Sequence, residues 1–362
     1  MKNPNNFCII MAGGIGSRFW PISRSEKPKQ FLDILKTGKT LIQQTFERYE
    51  YFCPKENIFI VTNSQYEQIT LEQLPFVSKE QLLFEPVRRN TAPCIAYANE
   101  KIRCKNPNAN IIVAPSDHII LNEDKFRTVI NKGLNFTANS DNLVTIGLKP
   151  TRPDTGYGYI QFDKEVKGFE SIHKVKTFTE KPNLELAKVF IDSGDFLWNS
   201  GIFIWNLKTI SKAFAAFLPD VSTLFGDISK YYNTKKETEQ IERVYAICKN
   251  ISIDYGIMEK AQNVFVVADD FGWSDLGTWS SLYEHVPKNE NQNAGVNPNI
   301  LTYNTENSIF DLSPDKIVVI QGLTDFIVAE SDNCLLICKK SEEQNLQSII
   351  NDIKKNFGEN YV

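Results

Sequence analysis

No stretch of this sequence approaches the ~18 consecutive apolar residues that a membrane-spanning helix needs, so no membrane protein of that kind is expected. Charge of one sign is equally lacking: 40 Lys+Arg stand against 44 Asp+Glu, a formal net charge of −4. A slightly acidic chain does not offer the basic face with which proteins hold nucleic acid. Any anionic ligand must therefore be met by cations gathered locally. The opening MKNPNNFCIIMAGG has one early Lys and an apolar run too short for a secretory leader, which points to a cytoplasmic protein without a membrane partner. The seven cysteines (Cys8, Cys53, Cys94, Cys104, Cys248, Cys334 and Cys338) are odd in number and scattered. The close pair, Cys334 and Cys338, lacks the CxxC spacing of a redox or zinc site, so packed, reduced thiols are expected.

What is present is ordinary for a globular protein: 42% hydrophobic residues, 23% charged, and 18 Gly with 16 Pro in 362 residues. That composition excludes collagen-like and disordered chains, and the length suits two domains or one large α/β domain with an appendage. In the first third, apolar strand-like runs at 7–12, 57–63, 81–87 and 110–118 alternate with helical spacing at 40–52, 64–74 and 91–104. This alternation predicts βαβ units and a mostly parallel sheet, with ligands beyond the C-terminal strand ends. Residues 206–262 read as largely helical. The Asn-rich stretch at 287–300 is turn-prone and predicts a boundary, giving a domain over 1–290 and a small β-rich domain with a terminal helix over 296–362.

The most informative segment is MAGGIGSRFWPISRSEKPKQF at 11–31. A glycine turn after a first strand lets backbone N–H groups approach phosphate without a Cβ in the way. The third glycine of a dinucleotide fingerprint is missing, and so is a Walker A loop. Instead, residues 18–29 hold Arg18, Arg24, Lys27 and Lys29 against Glu26 alone, a local +3. That density suits a polyphosphate contacted along its length; a glycine turn with a solvated basic loop fits the same residues. Other segments leave similar pairs of readings. Asn90 and Thr91 in EPVRRNTAP (85–93) fit a helix N-cap or a ligand contact. Asp117 in VAPSDHII (113–120) and Asp275 in FGWSDLGTW (271–279) fit turn caps or ligands for a hard cation. EKP and NSG, at 180–182 and 199–201, read as turns or as sugar contacts. Trp198, Phe203 and Trp205 read as core.

The 11–31 segment resembles the GxGxRxxPxSxxxPK signature of the sugar-1-phosphate nucleotidyltransferases, and its WPxSR and PKQF wording is similar to the mannose-1-phosphate guanylyltransferases. Further family motifs recur in order across 7–285. The resemblance implies a Rossmann-like mixed sheet flanked by helices (the nucleotide-diphospho-sugar transferase fold) with a small β-helix-like C-terminal domain, often a dimerisation element and so a homodimer. It implies transfer of GMP from GTP to α-D-mannose 1-phosphate, giving GDP-mannose and pyrophosphate with Mg²⁺, or Mn²⁺ in its place. It further implies nucleotide contacts at Ala12, Gly13, Gly14, Gly16, Glu85, Arg89, Asn90 and Thr91. Glu85 suits guanine, whose N1–H and N2–H₂ donors face an acceptor-only carboxylate. Gly156, Glu180, Lys181 and Asn199 are implied for the sugar phosphate and Asp117 with Asp275 for the metal. Arg18 is implied at the departing pyrophosphate, Lys29 at the reacting phosphates and Lys181 at the sugar phosphate. The alternatives are a sister enzyme for another base or sugar, and a silent sugar-nucleotide sensor. No histidine follows His285, so the histidine-bound metal of the fused isomerase domain found in some members is not expected.

Overall fold

The computed structural model describes residues 2–14, 16–295 and 297–362. Met1, Ile15 in the glycine turn and Val296 at the expected domain start lie outside the described residues. The chain forms two compact units. The first comprises 1–13, 43–116 and 120–273; the second comprises 14–42, 117–119 and 274–362. The predicted 296–362 segment thus falls wholly in the second unit, together with the basic loop and the two Asp-bearing segments. Packing is the reason: Phe19, Trp20 and Leu41 share one buried cluster with Trp279, Ile309, Ile327, Leu346 and Ile350.

The first unit is built on a sheet whose strands are β1 (Asn6–Met11), β2 (Ile58–Asn63), β3 (Leu82–Glu85) and β4 (Asn110–Pro115), followed, after the two-residue β5 (Ile119–Ile120), by β6 (Leu143–Leu148), β7 (Gly158–Glu165), β8 (Ile172–Glu180), β9 (Phe196–Asn206) and β10 (Val264–Ala268). Their order is β3-β2-β1-β4-β9-β6-β10-β8-β7, with β9 also meeting β7. The β3-β2-β1-β4 half is parallel, as the alternating strand and helix runs predict. Antiparallel pairings enter with β9 and with β7 and β8, while β6 and β10 are parallel. The β1, β4 and β6 runs are buried almost throughout, the mark of strands covered on both faces. The helices Thr91–Lys105, Glu123–Ala138, Leu184–Ser193 and Leu207–Phe217 each begin at an Asn whose side-chain oxygen accepts a first-turn N–H. Such caps satisfy amides that a helix start leaves unpaired. Among the described residues, no helix is long and apolar enough to cross a membrane. All seven cysteines are free thiols.

In the second unit, after β11 (Trp273–Ser274), come β12 (Ile300–Tyr303), β13 (Ile309–Asp311), β14 (Val318–Gln321), β15 (Phe326–Ser331) and β16 (Cys334–Lys339). Ile300 pairs with Val318 and Ile309 with Ile327, both in parallel and both 18 residues apart. That repeated offset is one turn of a β-helix-like coil, and it ends on the antiparallel β15–β16 pair and the helix Leu346–Phe357. Trp279 anchors this unit: it is fully buried, its ring lies 5.4 Å from Phe19, and its indole N–H donates to the Trp20 carbonyl. Truncating a buried Trp removes both its transfer energy and its contacts. Trp279→Ala should therefore destabilise the protein by about 3–5 kcal/mol, measured by urea unfolding; a loss below about 1 kcal/mol would show that this cluster does not hold the unit.

Candidate active site

Two clusters lie in the first unit. Glu85 ends β3, in register with Asn63 of β2, and Asn63 Nδ2 donates to its backbone carbonyl. Its side chain is only 6% exposed; Oε1 accepts from the Tyr245 hydroxyl at 3.0 Å. A Cβ on Gly13 would stand 3.4 Å from Oε2, so the carboxylate lies against the glycine turn where β1 ends. Burial pushes Glu85 up to about 7, opposed by the Tyr245 hydrogen bond and by the charge of Arg88. Ala12 is fully buried, with its amide on Val61 and its carbonyl on the Thr62 hydroxyl. Asn90 has φ 67° and caps Thr91, while the Thr91 hydroxyl accepts from Ile253 N at 2.8 Å. With Ile251 bonded to both Arg89 and Ala92, the 89–92 loop is laced to 251–253. Arg89 is spent structurally: its guanidinium donates to the carbonyls of Tyr245 and Ala246, the last turn of the helix Glu237–Ile247.

The second cluster gathers Glu180, Lys181 and Asn199. Glu180 pairs across β7–β8 with Gly158. Any Cβ on Gly158 would come within 2.4 Å of Glu180 Oε2 and 3.4 Å of Asn199. Gly156 sits instead in an exposed turn, its N–H on Asp154. Both glycines fall in TGYGYI, and the register of β7 on β8 sets Gly158 against the carboxylate. Lys181 adopts φ 49° and sends an exposed ammonium to within 3.3 Å of Glu180 Oε1. Trp198, Phe203 and Trp205 are buried, as expected of core.

The second unit holds the remaining residues. Gly16 has φ 63°, and a Cβ there would meet the Lys29 Cβ at 2.4 Å, so the turn needs glycine on two counts. The Gly14 carbonyl accepts from Gln30. Lys29, nearly buried, places Nζ 2.8 Å from Asp117 Oδ2, 2.6 Å from the Asp275 carbonyl and 3.0 Å from the Leu276 carbonyl. An ammonium has three N–H bonds, and all three are engaged. Burial alone would raise the Asp117 carboxyl; the Lys29 charge, His118 and the Lys29 and backbone hydrogen bonds outweigh it and hold it below the ordinary carboxylate range. Asp275 Oδ1 accepts from Gly277 N at 2.9 Å, closing a tight turn ahead of the helix Trp279–His285. The local +3 of the loop is thereby divided. Arg24 is committed to the Pro21 and Ser331 carbonyls, Lys29 to its hub, and Arg18 and Lys27 remain with exposed side chains.

Among the described residues, no group of three His, Cys, Asp or Glu side chains gathers as a metal cage. The Asp117 carboxylate and the Asp275 backbone carbonyl meet the same ammonium, and carboxylate oxygens such as those of Asp117 and Asp275 are the hard donors that Mg²⁺ takes along with phosphate oxygens. The donor chemistry of Asp117 and Asp275 fits that ion.

The family model described as nucleotidyl transferase matches residues 7–292. A mannose-1-phosphate guanylyltransferase of Salmonella montevideo is 35% identical over 353 residues, covering 96% of this chain and 73% of its own length. One from Escherichia coli is 33% identical over 349 residues, covering 94% and 74%. The chain belongs to the mannose-1-phosphate guanylyltransferase branch of the nucleotidyl transferase family. A crystal structure from Thermus thermophilus, described as mannose-1-phosphate geranyltransferase, superposes with TM-score 0.86 at 28% identity, covering 97% of this chain and 99% of that one. The chain is thus an enzyme of the nucleotidyltransferase class with the expected mixed α/β fold and β-rich C-terminal region.

Tyr245 escaped the motif reading because it lies 160 residues from Glu85 on a helix with no signature of its own. Its hydroxyl opposes the burial that raises Glu85. In Tyr245→Phe the Glu85 midpoint should climb above about 7, followed by NMR titration of the glutamate carboxyl carbons. A midpoint that stays put would deny the hydroxyl that role.

Proposed function

We propose that the chain transfers GMP from GTP to α-D-mannose 1-phosphate, releasing pyrophosphate and GDP-mannose. The observation that carries this reading is the buried Glu85 carboxylate against Gly13, an acceptor with no donor of its own when ionised. Guanine presents N1–H and N2–H₂ to such a group, and adenine does not. Gly13, Gly14 and Gly16 receive the phosphates, and the exposed Arg18 meets the departing pyrophosphate charge. Asn90 and Thr91 shape the base loop. Glu180 and Asn199 hold the sugar hydroxyls, and Lys181 steers the sugar phosphate.

In the reaction a phosphate oxygen of mannose 1-phosphate attacks the α-phosphorus of GTP. The bond from that phosphorus to the α,β-bridging oxygen breaks, and pyrophosphate leaves with the electron pair. The nucleophile is already an anion, so catalysis is positioning and charge neutralisation, not proton abstraction. Asp117 and Asp275 would hold Mg²⁺ (or Mn²⁺), which neutralises phosphate charge. Lys29 supports the Asp117 carboxylate and the 275–276 turn; it reaches a phosphate only by releasing one of them. We place the enzyme in the cytoplasm as a homodimer, supported by the exposed apolar side chains Leu301, Tyr303, Ile317 and Val319 on and beside β12 and β14.

The test is pyrophosphate release with four NTPs against mannose and glucose 1-phosphates, across pH. GTP with mannose 1-phosphate should turn over fastest. Guanine needs Glu85 ionised, and its midpoint is raised to about 7. The KM for GTP should therefore be lowest above pH 7 and rise as the pH falls through it. A preference for UTP or dTTP with glucose 1-phosphate would overturn the reading.

A further inference from the structure

Asp254 carries none of the roles assigned above, yet it stands among the residues that shape the sugar cluster of the first unit. It opens the short π-helical segment Asp254–Met258, and its Oδ1 accepts from Asn199 Nδ2 at 2.8 Å. On the opposite edge of that amide, Asn199 Oδ1 accepts from Gly201 N at 3.2 Å and from the Thr145 hydroxyl at 3.0 Å. A backbone N–H only donates, so the amide can stand only one way round, with oxygen toward Gly201 and nitrogen toward Asp254. The second N–H of Asn199 is then left for a ligand. Glu180, whose position Gly158 makes room for, is close enough to Asp254 for the two carboxylates to repel. An oriented amide donor beside a carboxylate acceptor matches a pair of sugar hydroxyls, each of which both donates and accepts.

We infer that Asp254 is a positioning residue for sugar recognition: with the amide oxygen of Asn199 fixed by Gly201 and Thr145, the Asp254 carboxylate anchors the amide nitrogen so that its second N–H stands as a donor beside the Glu180 acceptor. The inference rests on the sugar-phosphate reading of this cluster given above. It is separable from a general structural role. The preceding residues 251–253 are bonded to the base loop at 89–92, whereas the Asp254 carboxylate is bonded to Asn199.

Steady-state kinetics of the full chain decide it, with Asp254→Ala, Asp254→Asn, Asn199→Ala and the Asp254→Ala/Asn199→Ala double variant, each checked by thermal melting. Losing a hydrogen bond to a charged group should raise the KM for the sugar phosphate at least about tenfold in Asp254→Ala, with the KM for GTP within about twofold of wild type. Asp254→Asn keeps an acceptor for Asn199 and should restore the sugar-phosphate KM to within about threefold. In the Asn199→Ala background, Asp254→Ala should add little, because the two act as one unit. Should Asp254→Ala fail to fold, Asp254→Ser, too short to reach Asn199, carries the same expectation. An unchanged sugar-phosphate KM, equal rises in both KM values, or additive effects would overturn the inference. If wild type instead prefers another sugar phosphate, the functional reading fails, and the same variants measured with that substrate still test Asp254.

Discussion

One buried ammonium organises the second unit. Lys29 reaches it from the basic loop, Asp117 from the three-residue segment 117–119, and the 275–276 carbonyls from the segment that leads into the C-terminal coil. A buried lysine with a missing partner would be costly, and the half-buried Asp117 carboxylate would lose its main counter-charge. Mutual satisfaction keeps Asp117 ionised despite its partial burial. The glycine turn is subordinate to the same contact, since Gly16 must lack a Cβ for the lysine stem to pass. Charge that looks available for phosphate in the sequence is thus used first to hold acidic groups in place.

The carboxylates of the two units are set in opposite ways. Asp117 is held low by a paired cation, while burial raises Glu85 to about 7 and burial with Glu180 raises Asp254 to about 6. A group kept ionised suits a metal ion. Groups poised near neutrality suit neutral partners that donate hydrogen bonds, such as a base edge or a sugar hydroxyl, because binding can settle their protonation state. Within the first unit, the segment 251–254 touches both clusters: its backbone ties down the base loop and its terminal carboxylate orients Asn199.

Much of this was legible in the sequence where the signal is local. Continuous β-branched runs foretold the parallel β1–β4 half, and Asn90 at a helix start announced its cap. The junction at 85–93, which ends a strand and opens a helix, was legible too. Less was legible where a long-range pairing decides the outcome. The antiparallel entry of β9 between β4 and β6 depends on its partners, since its own apolar run fits either direction. The packing of Gly158 on Glu180 follows from strand register, Arg24 and Arg89 turn out to bind backbone carbonyls, and Tyr245 and Asp254 become visible only through what they touch. The coil of the second unit hides in an 18-residue offset too brief to register as a repeat.

The account turns on the Lys29 hub, and the Asp117 carboxyl reports on it directly. Carbon-13 NMR titration of aspartate-labelled wild type should show Asp117 below the ordinary carboxylate range. In Lys29→Met the burial would lose its main opponent, and the midpoint should move above that range. An Asp117 midpoint unchanged by the substitution would contradict the account.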